Sequence, residues 1–161
     1  MYQLRPIQAQ DNPFLAQIIR QVSQEFGLAA ESGFAVADPS VDALYETYQH
    51  PHACYWVIED SQGQIFGGGG IAPLCGDSTL LEIQKMYFLP EIRGLGFAQK
   101  ILQHCVEFTQ QQNFQGCYLE TTHQLKNAVA LYEKVGFQHL SAPRGHTGHS
   151  HACEIWMLKS I

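Results

Sequence analysis

Apolar residues recur along this chain in two rhythms, an alternation of two and a spacing of three and four, and the switches between them outline its elements. Residues 2–7 alternate and predict a strand. Asp11-Asn12 then cap a helix with Pro13 in its first turn; Phe14, Ile18, Val22 and Phe26 repeat at near-helical spacing until Gly27. Residues 28–40 are small and polar, with Gly33 and Pro39, and predict a loop bordering a pocket, followed by a short helix over 41–48. Residues 53–60 and 64–73 predict a hairpin turned by Ser61-Gln62-Gly63, and 80–89 a long strand closed by Pro90, whose missing N–H ends ladder pairing. The glycine run at 67–70 reads as a bulge or a close backbone approach, because no helix follows it. A second amphipathic helix over 96–112 turns Phe97, Ile101, Leu102, Cys105 and Val106 inward. Residues 116–121 predict a strand. Ala128, Leu131, Tyr132 and Val135 then form a helix stripe stopped by Gly136, and 137–140 and 154–158 predict two closing strands.

One junction carries more chemistry than the others. The strand over 80–89 runs through Pro90 into Arg93-Gly94-Leu95-Gly96-Phe97-Ala98 and directly into a helix. Two glycines let the backbone curl, and the helix aims unpaired N–H groups and its positive dipole end at the same point, which makes an anion cradle. A dinucleotide-binding turn would place a third glycine where Gln99 stands, and a Walker-type loop would follow its last glycine with Lys-Ser or Lys-Thr instead of Phe97-Ala98. Lys85, Arg93 and Lys100 fall close to the cradle in sequence.

Arg93-x-x-Gly96-x-Ala98, and downstream Ala128-x-x-Leu131-Tyr132-Glu133-Lys134-x-Gly136-Phe137, are similar to the two signatures of the GNAT superfamily of acyl-CoA-dependent N-acyltransferases, in the right order and spacing. The resemblance covers residues 53–137. It implies an α/β (α+β) fold with a mixed, mostly antiparallel central sheet of about seven strands flanked by about four helices. It also implies that two strands splay and that acetyl-CoA, as cosubstrate, enters the wedge. Carried over, the backbone of Met86, Tyr87 and Phe88 would pair with the pantetheine arm. Arg93 would open a loop in which the N–H groups of Gly94, Leu95, Gly96, Phe97, Ala98 and Gln99 hold the pyrophosphate. Tyr132 would protonate the departing CoA thiolate. Glu82 stands where some members keep a general base, and Glu120 is the second candidate. The asparagine that many members carry seven residues before the tyrosine is here Leu125, and Asn127 is out of register for it. The implied activity is acetyl transfer to a primary amine of a small molecule or peptide by direct attack; a non-catalytic acyl-CoA sensor is the alternative.

Composition narrows the field. A length of 161 residues suits one domain over 1–161, and 45% apolar residues is ordinary for a soluble globule. The net charge of −6, with nine scattered Lys and Arg, argues against a nucleic-acid surface. The first residues lack the order of a signal peptide and no apolar run is long enough to cross a bilayer, so the expectation is a cytoplasmic protein without membrane association. A homodimer is a further expectation. Five cysteines without a CxxC pair read as buried thiols, and a thiol enzyme built on Cys153 would be exposed by alkylation. The tail His146-Thr147-Gly148-His149-Ser150-His151-Ala152-Cys153 matches no standard zinc spacing. No metal is expected; the tail is read as a loop over the acceptor pocket, with His149 or His151 contacting substrate.

Overall fold

The computed structural model describes every residue except Ala29, Ala30 and Ser32, so that part of the expected loop over 28–40 lies outside the described residues. Seven strands form one sheet in the order β1-β2-β3-β4-β5-β7-β6. Along the chain these are β1 (Tyr2–Pro6), α1 (Asn12–Glu25), α2 (Leu44–Thr47), β2 (Cys54–Asp60), β3 (Ile65–Pro73), β4 (Leu80–Phe88), α3 (Phe97–Gln111), β5 (Gly116–Thr121), α4 (Lys126–Val135), β6 (Gln138–His139) and β7 (Ile155–Ser160). Every pairing is antiparallel except β4 with β5. Among the described residues no helix is long and apolar enough to cross a membrane.

The two sheet faces hold separate cores. Leu81, Ile83, Cys117 and Leu119 point to one face and pack with Ile101, Leu102 and Cys105 of α3 and Tyr132 of α4. Tyr55, Val57 and Ile65 point to the other and pack with Leu15, Ile19 and Val22 of α1 and Leu44 of α2. The period of two along each strand thus sends Glu82 and Gln84, and across the gap Tyr118 and Glu120, to the face opposite α3.

Three local expectations need correction. Asp11 does not cap α1: its carboxylate accepts the Gln8 N–H at 2.7 Å and the Arg5 guanidinium at 2.8 and 3.0 Å, so it closes the 3-10 turn in front of the helix. The helix expected over 41–48 is broken at Ala43; a 3-10 turn at Pro39–Asp42, capped by the Asp38 carboxylate on the Ser40 N–H, precedes a single turn of α2. Lys85 does not reach the anion cradle. Its left-handed φ of 51° marks the extra residue of a bulge, where β4 spends both Lys85 and Met86 opposite Gly69 of β3. The bulge swings Lys85 inward, and its Nζ pairs with Asp38 at 3.0 Å with only 6% of the side chain exposed. The glycine run of β3 allows this: Tyr55 lies against Gly68 and Gly70, Met86 lies over Gly69, and the Tyr55 hydroxyl donates to the Lys85 carbonyl at 2.9 Å.

Candidate active site

β4 and β5 pair only through Leu80, Leu81 and Glu82, opposite Gly116, Cys117 and Tyr118. Beyond Glu82 the strands part, and a cavity of about 820 Å³ opens between them. Its lining joins two chemically different ends.

The first end is the glycine turn. Gly94 and Gly96 have φ of 77° and 84°, in the left-handed region where a side chain is strained, and a Cβ on either would point into open space. The glycines therefore serve the backbone path and leave its surface bare for a ligand. Among the described residues, the amides of Gly94, Gly96, Phe97, Ala98 and Gln99 have no protein acceptor, and α3 has no side-chain cap. A row of free donors at the start of a 15-residue helix fits a pyrophosphate. The exposed edge of β4 over Met86, Tyr87 and Phe88 leads from this turn into the wedge. These features fit an acyl-CoA.

Arg93 takes a different part from the one its motif position suggests. Its guanidinium grips Glu25 of α1 at 2.6 and 2.7 Å, its Nε donates to the Phe88 carbonyl at 2.9 Å, and it lies 5.2 Å from the Phe26 ring. The side chain clasps the end of β4 to α1 and so fixes where the turn begins. Lys100 lies over the Phe97 ring at 4.9 Å. Leu125 and Asn127 both line the cavity.

Tyr132 is buried on α4 in edge contact with Phe137, with ring centroids 6.0 Å apart, and it lines the same cavity. Burial pushes its hydroxyl well above the ordinary phenol range, with Tyr87 and Cys105 adding to the shift, so it carries its proton at neutral pH.

The second end is polar. Glu82 is buried, and its Oε2 accepts from the Gln84 amide at 2.7 Å, while the Gln84 carbonyl accepts from the Tyr48 hydroxyl at 2.8 Å. On its other side Glu82 Oε1 lies 3.3 Å from His149 Nε2, and His149 Nδ1 lies 3.6 Å from Cys153 Sγ. Burial alone would lower the His149 pKa; the contacts with Cys153 and Glu82 overcome it and raise the ring to about 10. Both ring nitrogens then donate, and the imidazolium has no lone pair with which to act as a base. Glu120, at the end of β5, accepts from Ser150 at 2.8 Å.

The tail loop thus does cover the cavity, through Thr147, His149 and Cys153; His151 is exposed and packs by Gly33. Tyr48, Gln84 and Asp38 were missed by sequence reasoning. Gln84 had a signal, standing two residues after Glu82 on one strand face; Tyr48 and Asp38 had none, because they come from the end of α2 and the cap of the 3-10 turn before it, more than 30 residues from β4 in sequence.

The Acetyltransferase (GNAT) family profile matches residues 19–137. The chain belongs to that family. The N-acetyltransferase YjgM of Escherichia coli K12 is 50% identical over 159 residues, covering 98% of this chain and 94% of the relative. A GNAT-family acetyltransferase structure from Staphylococcus aureus Mu50 superposes with a TM-score of 0.83 at 18% identity, covering 99% of each chain. A GNAT phosphinothricin acetyltransferase from Sinorhizobium meliloti, solved in complex with AcCoA, superposes with a TM-score of 0.75 at 18% identity, covering 99% of this chain and 88% of that one. As a GNAT protein the chain is an acyl-CoA-dependent acetyltransferase, and its seven-stranded, mostly antiparallel sheet with four helices has the GNAT arrangement.

Proposed function

We propose that this N-acetyltransferase moves the acetyl group of acetyl-CoA to a primary amine of a small molecule or a peptide, by direct attack within a ternary complex in the cytoplasm. One observation carries the reading: the free amides of the glycine turn, the Tyr132 hydroxyl and the Glu82 carboxylate all line one cavity. The amides of Gly94 and of Gly96 through Gln99 take the pyrophosphate, whereas the expected Leu95 amide is spent inside the turn on the Ile92 carbonyl at 3.4 Å; the open edge of β4 over Met86, Tyr87 and Phe88 aligns the pantetheine arm. Main-chain N–H groups of that edge polarise the thioester carbonyl.

The acceptor must be a neutral amine before it attacks. Glu82 takes one proton from the ammonium, directly or through a water; as the C–N bond forms and the C–S bond breaks, Tyr132 gives its proton to the leaving thiolate, and the second proton that the nitrogen sheds on becoming an amide returns to the Tyr132 phenolate. A fixed, uncharged phenol suits that role, since the thiolate is far more basic in a dry site than in water. No cysteine is needed as a nucleophile, so Cys153→Ala retains turnover.

Release of free CoA thiol against a panel of primary amines tests the reading. Turnover with at least one amine is expected, with Glu82→Gln and Tyr132→Phe each lowering kcat about 10²-fold or more while acetyl-CoA affinity holds. If Tyr132→Phe leaves kcat unchanged, the assigned acid is wrong; if the protein binds acetyl-CoA and acetylates no amine in the panel, the sensor reading takes its place.

A further inference from the structure

The two carboxylates at the polar end are not equivalent. Both oxygens of Glu82 already have partners, Gln84 and His149. Glu120 uses Oε1 for the Ser150 hydroxyl, while its Oε2 is buried with no hydrogen-bond partner among the described residues. An unpartnered carboxylate oxygen is costly to bury, and a donor that arrives at Oε2 relieves that cost.

The register explains its position. Tyr118 stands beside Glu82 on the parallel pair, so Glu120 lies two residues further on, on the same sheet face, where the strands have already parted. Atoms of Glu82, Glu120 and His149 lie within 4.8 Å of one another. An ammonium nitrogen donating at about 2.9 Å spans that separation and touches both carboxylates at once. The charges agree: two carboxylates and one imidazolium leave a single negative charge in the triad, while Lys85 and Asp38 neutralise each other beside it. Donors of the chain itself stand close by: the Tyr118 hydroxyl acts on Glu120 and the His149 ring lies within 4.8 Å, while the Trp156 indole, directly opposite Glu120 on the ladder, has no partner, yet none of them hydrogen-bonds Oε2 among the described residues.

The geometry points to Glu120 as the docking point of the acceptor, an aliphatic amine that arrives as its alkylammonium ion and binds through Glu120 Oε2 before passing a proton to Glu82. This rests on the proposed acetyl transfer. It divides the work of the two residues, with Glu120 setting affinity for the cation and Glu82 serving the proton.

The test uses butylamine, putrescine and ethanolamine as strongly basic acceptors and aniline and methoxyamine as weakly basic ones, with CoA thiol release as the signal. The wild-type protein is expected to prefer the alkylamines. Glu120→Gln is expected to raise KM for them by about 10- to 100-fold with a smaller change in kcat, to erase their advantage over the weak bases, and to bind acetyl-CoA like the wild type. Glu120→Asp, which keeps the charge, should recover part of the affinity, and Glu82→Gln should act on kcat instead. An unchanged KM in Glu120→Gln, or the same rise in KM from Trp156→Phe, would overturn the assignment while leaving the transfer reading intact. Loss of activity on EDTA treatment with recovery on adding Zn²⁺ would also overturn it, giving the triad to a metal ion. Failure of the wild type to bind acetyl-CoA would instead strike the transfer reading itself.

Discussion

Tyr48, Gln84, Glu82, His149 and Cys153 form one chain of hydrogen bonds joined by the Glu82–His149 ion pair, and it runs from the end of α2, across β4, to the loop before β7. Each member fixes the next, so the buried carboxylate of Glu82 has a single orientation. His149 is the member whose charge reports on the chain. Facing it are Glu82 from β4, Glu120 from β5 and Cys153 from its own loop. An unfolded imidazole titrates near ~6.5, whereas in the fold the ring is raised to about 10. A pKa raised by folding gives stability that is fully present below about 6.5 and is lost as the pH climbs through about 10. Urea unfolding of wild type and His149→Gln should therefore show the largest difference near pH 6, shrinking toward pH 10; a difference that does not change with pH would contradict the protonated ring. The triad also marks what sequence could reach at this scale. Glu82 and Tyr132 were legible because their motif neighbours fix their places. Arg93 was legible in position but not in task, since Glu25 is 68 residues away and nothing local announces the pair. Lys85 was misread because a bulge reverses where a strand residue points.

At the scale of elements, β3 and β4 decide where chemistry sits. The four glycines of β3 are a requirement of packing, because Tyr55 and Tyr48 occupy the space that side chains on Gly68 and Gly70 would take. Gly70→Ala should cost about 1–3 kcal/mol in urea unfolding, the range for overfilling a packed core, and a change within ~0.5 kcal/mol would show that the tyrosines yield freely. The run was readable as a bulge or close approach, since no helix follows it; that the bulged residue is Lys85 on the partner strand was not, because register is set by tertiary packing. The helices read well where amphipathic spacing was long, as in α1 and α3. They read poorly around 39–48, where Asp38 and Pro39 favour a 3-10 turn over a continuous helix.

Over the whole molecule, the topology turns a strand pattern into a reaction site. One parallel contact, three residue pairs long, interrupts an otherwise antiparallel sheet, and the two strands that share it diverge under their own twist. The wedge this opens meets the amino end of α3 on one side and the covering loop from β6 to β7 on the other. Element order and the glycine turn were legible together because each is local; the meeting of Glu82, Glu120 and His149 was not, since β4, β5 and the tail loop are distant in sequence.

The central claim is that the glycine turn at the start of α3 holds acetyl-CoA in this wedge. Calorimetric titration of the protein with acetyl-CoA, run beside Gly96→Glu, tests it most directly. Micromolar binding is expected of the wild type and a loss of at least about 100-fold of the variant, whose carboxylate would sit among the amides meant for the pyrophosphate. Equal affinity in the two proteins, or no binding in either, would contradict it.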